Sequence, residues 1–135
     1  MADATPQPRK LPAPEENVET QTFWDAARQG RLLIKRCGAC SKPHYYPRAI
    51  CPFCGSPETQ WEETTGKGAI YSYSVMRRGA GTPYTLAYVT LDAGPSIMTN
   101  IVDADVDALG IGDRVTVRFV ETDGPPVPMF APDQA

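Results

Sequence analysis

The chain has 135 residues, 41% hydrophobic and 21% charged, which suits one domain or two very small ones. With 16 acidic against 13 basic residues its net charge is −3 and its pI near 5.1, so no overall field draws it to nucleic acid or to an anionic membrane. No apolar run approaches the roughly 18 residues of a membrane span. With cysteines confined to metal-type pairs and no export signal, this predicts a cytoplasmic protein.

Residues 1–17 hold Pro6, Pro8, Pro12 and Pro14 among small and charged side chains, a composition that predicts a flexible proline-rich arm. Residues 18–31 read as an N-terminal helix. Thr20 or Thr22 can cap it, Phe23, Trp24, Ala27 and Arg28 lie along it, and Gly30 suits its end. The two aromatics form an adhesive face. It packs on the chain's own body, or it makes Phe23 and Trp24 part of a partner interface.

Residues 32–62 carry all four cysteines. Leu32, Leu33 and Ile34 lead as a short strand into Cys37-Gly-Ala-Cys40, and Cys51-Pro-Phe-Cys54 follows after residues 41–50. A two-residue gap lets a tight turn aim both sulfurs at one ion, and two such pairs complete a tetrahedral thiolate site for zinc. Ser41 and Gly55, small residues after each second cysteine, suit turns of positive φ. Disulfides lose support without export, and a redox dithiol would need only one pair, in a βαβ unit that is not evident. A rubredoxin-like iron centre remains the alternative, because thiolates alone do not choose between the metals. Four protein ligands leave no open coordination position, so such a zinc is structural. His44, the one histidine, lies between the pairs. It could replace a cysteine, but four thiolates leave it as a loop or interface residue. Lys35, Arg36, Lys42 and Arg48 form the one local basic cluster, which is either solvated surface or an anion site.

Residues 63–132 alternate like strands between turns. Ala69–Met76 follows Gly68, with Tyr71, Tyr73 and Val75 opposite Ser72 and Ser74. Residues 77–82, with Arg77, Arg78, Gly79 and Gly81, make a mobile-looking loop. Tyr84–Leu91 and Ser96–Val102 read as a hairpin about Ala93-Gly94-Pro95. A short helix or turn around Val106–Leu109 precedes Arg114–Val120, and a last strand covers Val127–Phe130. Five short antiparallel strands are best closed into a barrel that removes their edges. An OB-fold leads, with an SH3-like barrel or a small open sandwich as alternatives. Residues 133–135 are a tail. The fold class is therefore mainly β: a helix, a rubredoxin-like zinc ribbon and a five-stranded OB-fold barrel.

One order of features is specific. Phe23-Trp24, Gly30-Arg31-Leu32, the two cysteine pairs, Pro47-Arg48 and Gly66-Lys-Gly68-Ala-Ile-Tyr71-Ser-Tyr73-Ser74-Val75 follow one another, with Pro83-Tyr84, Ile111-Gly112 and Phe130-Ala-Pro132 beyond. This order resembles the zinc-ribbon/OB-fold family of acyl-CoA-associated proteins. That family was long filed as a domain of unknown function and is typically a small partner of thiolase-like enzymes. The resemblance implies structural zinc on Cys37, Cys40, Cys51 and Cys54. It also implies a non-catalytic accessory role beside a thiolase, aldolase or acyltransferase in acyl-CoA or lipid metabolism. By their own chemistry, Arg36, Arg48, Arg77 and Arg78 are the candidates for acyl-CoA phosphates, and Phe23, Trp24, Tyr71 and Tyr73 for the interface with a partner enzyme subunit.

The residues themselves offer no nucleophile and base paired by motif. Asp103, Asp105 and Asp107 lack the glycine and terminal glutamate of a calcium loop. A nucleic-acid-binding zinc-ribbon/OB-fold protein is the alternative function. Its tyrosines could stack bases, but the strands after Arg78 offer only Arg114 and Arg118 to track phosphates.

Overall fold

The computed structural model describes residues 11–79 and 81–133. Its helix α1 (Gln21–Ala27) is seven residues long, and its N-cap Thr20 makes no side-chain bond to the helix. Asn17 Oδ1 instead accepts from the Thr20 amide and hydroxyl. So short a helix gains little from its own bonds; it is held by burying Phe23, Trp24, Ala26 and Ala27. Gly30 ends it at φ 75°, and the Arg31 amide closes the last turn on the Ala26 carbonyl at 2.9 Å.

The chain then forms a small antiparallel sheet ordered β2-β1-β3, from β1 (Leu33–Cys37), β2 (Pro43–His44) and β3 (Thr59–Glu63). The predicted apolar strand is β1. Neither β2 nor β3 has an apolar alternation of its own; they become strands because the two cysteine turns deliver them alongside β1.

Five further strands, β4 (Lys67–Met76), β5 (Tyr84–Leu91), β6 (Ser96–Ile101), β7 (Arg114–Val120) and β8 (Val127–Pro132), close in the order β4-β5-β6-β8-β7. Every pairing is antiparallel except β6 with β8. This is the five-stranded Greek-key OB barrel. Its strands are the five that alternation predicts. The segment around Val106–Leu109 is a turn, in which the Ala108 amide donates to the Asp105 carbonyl at 3.0 Å.

β4 pairs with β5 along its length and with β7 at its start, which requires it to bend. The bend is a bulge between Ile70 and Ser72. It reverses the alternation: Gly68 and Ile70 point inward before it, Tyr73 and Val75 after it. Tyr71, on the bulge, points to solvent. The predicted common face of Tyr71 and Tyr73 is therefore split, because period-2 counting does not see an extra residue.

One apolar core joins the parts. Phe23 and Trp24 pack with Leu32, Leu33 and Ile34, and the same cluster continues into Ile70, Val89, Ile97 and Phe130 inside the barrel. Residues 11–14 run over the barrel surface, where Ala13 passes so close to Gly124 that a Cβ there would come within 3.0 Å of the alanine methyl.

Gly68 is the tightest point of closure. A Cβ on it would strike the Thr90 carbonyl and come within 2.9 Å of Val89 Cγ1. Gly68→Ala should therefore destabilise the barrel by about 2 kcal/mol, the cost of forcing volume into a packed site. Denaturant unfolding would show a lowered midpoint with zinc still bound.

Candidate functional site: a closed metal centre and an uncharged barrel face

Each cysteine pair is a turn built by its own backbone. The Ser41 amide donates to the Cys37 carbonyl and the Gly55 amide to the Cys51 carbonyl, both at 2.9 Å. Ser41 and Gly55 take positive φ, 66° and 79°, which is what turns the following amides back. Amides of Ala39 and Cys40 point at Cys37 Sγ, and that of Phe53 at Cys51 Sγ. Partial positive charge thus surrounds sulfurs that must be anionic to bind metal.

Across the turns, Cys37 Sγ lies 3.6 Å from Cys54 Sγ and Cys40 Sγ 3.7 Å from Cys51 Sγ. All four sulfurs fall within 4.8 Å of one another. A zinc–sulfur bond of about 2.3 Å gives a tetrahedron with sulfurs about 3.8 Å apart, so the residues present fit zinc. These separations are far beyond a disulfide bond of about 2.05 Å. Cys37 and Cys51 are buried and Cys54 exposed. The Cys40 amide, with that of Ala39, draws the Cys37 thiol down to about 6. The Ser56 amide favours the Cys54 thiolate, but crowding by the other sulfurs wins and pushes it up to about 12. A divalent cation removes that conflict by deprotonating every ligand.

His44 is not a ligand. It sits on β2 opposite Lys35, is 4% exposed, and its Nε2 accepts the Arg48 amide at 3.1 Å. The ring proton is then on Nδ1, which has no partner among the described residues. Burial holds its pKa below the ordinary value, and the charges of Lys35 and Arg48 add to this. The expected loop or interface histidine is thus a neutral structural one.

Phe23 and Trp24 are not on the surface. They are 1% and 5% exposed and belong to an aromatic cluster with Tyr45 and Tyr46, in which Phe23 and Trp24 meet edge to face at 4.8 Å. Trp24 Nε1 donates to Tyr46 Oη at 2.9 Å. The sticky helix face was satisfied from within by a tyrosine doublet lying between the cysteine pairs. Its position beside the ribbon turn was the available signal. Tyr73 also turns inward, donating to the Leu109 carbonyl at 2.8 Å. Of the four predicted interface residues, Tyr71 alone is exposed, at 68%.

The basic cluster is largely engaged. Lys35 is buried over the Trp61 ring and donates to Thr59 Oγ1. Arg36 holds both oxygens of Glu62 and the Ser41 carbonyl. Lys42 lies over Phe53. In the loop after β4, Arg77 pairs with Asp107 at 2.7 Å, and Ala80 lies outside the described residues. Arg48 and Arg78 have no ion-pair partner among the described residues. Asp103 pairs with Arg118 and Asp105 accepts the Asp107 amide, so this acidic run is a turn held by arginines. Among the described residues the four cysteines are the one group placed to share a metal.

The outer face of β4, β5 and β6 differs from the rest of the surface. Register places Ser72, Tyr88 and Met98 in one row, and Ser74, Leu86 and Asn100 in the next; Met76 and Tyr84 form a third. Leu86, Tyr88, Met98 and Met76 are all about half exposed. No residue of these rows is charged.

A closed four-thiolate ribbon joined to an OB barrel defines a zinc-ribbon/OB-fold protein. Comparison with known proteins agrees domain by domain: the rubredoxin-like zinc ribbon domain of ChsH2 matches residues 24–60, and the C-terminal OB-fold domain of ChsH2 matches residues 61–120. A DUF35 domain-containing scaffold protein of Methanothermobacter thermautotrophicus is 36% identical over 109 residues, 76% of this chain and 82% of the relative. The chain belongs to this DUF35 family of ChsH2-type proteins, and its metal is the structural zinc of the ribbon. A probable enoyl-CoA hydratase alpha subunit of Thermomonospora curvata is 35% identical over 132 residues; they make up 93% of this chain but only 41% of that protein. Among solved structures, an Ltp2-ChsH2(DUF35) aldolase superposes with a TM-score of 0.78 at 35% identity, covering 88% of this chain and 98% of the matched one.

Two outcomes follow. Cys51→Ser should reduce zinc from about one per chain to a small fraction, and loosen the ribbon beneath Trp24. Elemental analysis and tryptophan fluorescence read this directly. His44 has a folded pKa below its unfolded value of about 6.5, so its stabilising share is complete above that pH and is lost as pH falls through the depressed value. Melting temperatures between pH 7.5 and 5 should drop in the wild type and drop less in His44→Phe.

Proposed function

We propose that the chain is a non-catalytic accessory subunit of a thiolase-like acyl-CoA enzyme, a thiolase, aldolase or acyltransferase, supporting assembly and contributing to acyl-CoA binding. The uncharged outer face of β4, β5 and β6 carries this reading. It is the side of an OB barrel that receives extended ligands. A nucleic-acid groove there would be lined with lysine and arginine, whereas exposed methionine, leucine and tyrosine suit a protein partner. The four thiolates leave no coordination position for substrate. Among the described residues no serine is hydrogen-bonded to a histidine or a carboxylate. The matched aldolase complex, the scaffold protein and the hydratase alpha subunit support the same reading by their names.

Of the four arginines predicted for acyl-CoA phosphates, Arg48 and Arg78 have no ion-pair partner among the described residues, whereas Arg36 and Arg77 would first have to release Glu62 and Asp107. Losing one charge-assisted contact costs about 1 kcal/mol. Arg48→Ala or Arg78→Ala should raise the KM of the complex for acyl-CoA about fivefold with little change in kcat.

The deciding experiment co-expresses the chain with the thiolase-like subunits of its own genome and assays thioester condensation and cleavage. The expected result is co-purification, no turnover by the chain alone, and full activity of the partner only with it. A partner fully active without the chain, and never isolated with it, overturns the proposal.

A further inference from the structure

Between Ser96 and Asn100 the far edge of β6 is open, and the reason lies in two prolines. On the β5 side, the Leu91 amide donates to the Pro95 carbonyl at 2.9 Å. Antiparallel alternation then directs the main-chain groups of Ile97, Thr99 and Ile101 to β5, and those of Ser96, Met98 and Asn100 away from it. On the away side β8 runs parallel, in register at Ile101 opposite Phe130, and the Val102 amide donates to the Phe130 carbonyl at 2.8 Å. Continuing that ladder back along both strands, the amides facing the Met98 and Ser96 carbonyls belong to residues 128 and 126. Both are proline and have no N–H. The Pro128 carbonyl is taken by Thr99 Oγ1 at 3.1 Å. The ladder therefore stops, and Met98 presents an N–H and a C=O with no partner among the described residues.

This edge faces a cleft of about 860 Å³ whose walls include Tyr46, Leu86, Tyr88, Met98 and the arm at residues 11–14. No described residue that lines it carries a charge, although 21% of the chain is charged. The described walls offer a phosphate no cation to pair with. An alkyl chain would fill the volume but leave the Met98 groups unpaired, at the cost of buried polar atoms. Pro12 and Pro14 of the arm have no amide to offer the edge, and none of residues 11–14 makes a main-chain bond to β6. The edge of a second barrel would bring its neighbouring strand against the wall of the arm and Tyr46. A single extended segment meets none of these objections.

We propose that the open edge of β6 receives an extended, uncharged segment of the enzyme partner as an added strand, its main chain pairing with Met98 and its side chains lying on Leu86, Tyr88 and Tyr46. This rests on the accessory-subunit reading above.

The test uses the complex of the full chain with the enzyme subunit that co-purifies with it. Met98→Pro removes the edge N–H while sparing the amides that bond β5, whereas Met98→Leu keeps it. The expected result is binding at least tenfold weaker for Met98→Pro, and within twofold of wild type for Met98→Leu and for the exposed control Ile111→Lys. Residue-resolved amide exchange gives a second readout in the wild type: the Met98 amide should exchange at least tenfold more slowly in the complex than in the free chain. If Met98→Pro fails to fold, amide exchange decides. Normal binding by a folded Met98→Pro, or an unslowed Met98 amide in a complex that forms, overturns the added strand and leaves the accessory role standing. Protection of that amide through self-association of the free chain also overturns it. Failure of any complex to form overturns both.

Discussion

Four sulfurs required within one coordination sphere constrain the whole N-terminal part of the molecule. Bringing Cys37 and Cys40 to Cys51 and Cys54 folds residues 41–50 back as β2 and an aromatic turn, and sets β3 beside β1. Those strands have little pattern of their own. The same closure delivers Tyr45 and Tyr46 over Phe23 and Trp24, which is what holds a helix too short to hold itself. Metal coordination and aromatic burial therefore depend on the same turn, and the helix that it covers shares one core with Ile70 and Phe130.

The barrel solves a different problem. Closure removes most strand edges, and the prolines at the start of its last strand leave a short one open. Polar and charged groups are placed by the ribbon, the turns and the ends of the strands, where Arg36, Arg77, Arg114 and Arg118 each find a carboxylate. Such exposed pairs contribute little stability individually. Their effect is to leave one side of the barrel neutral, and that side is broad, contiguous and partly hydrophobic. A chain with a sealed metal centre and a neutral face is built to be bound.

Legibility from the sequence differed by kind of signal. The ligand set was evident because Cys-x-x-Cys spacing is itself the geometry, and the five barrel strands because alternation survives in each. Side-chain direction was less evident. Tyr71 and Tyr73 separate at a bulge that period-2 counting cannot show. Phe23 and Trp24 form an apolar face in either reading, and only the folded turn shows that Tyr45 and Tyr46 cover it. The basic cluster stayed open to an anion-site reading because spacing along the chain does not reveal Glu62, which pairs with Arg36 across the β1–β3 sheet. Its acid lies opposite Ile34 in the β1–β3 register. Pro126 lies just before the predicted last strand and Pro128 within it, and their effect on the facing strand needs the parallel register to be seen.

The central claim is that the metal centre is sealed and the chain acts by being bound. X-ray absorption at the zinc edge tests it most directly, on the free chain and on the complex with and without acyl-CoA. The account predicts four sulfurs at about 2.3 Å in all three samples. An oxygen or nitrogen in the shell, or a ligand change when acyl-CoA is added, would contradict it and make the zinc part of the chemistry.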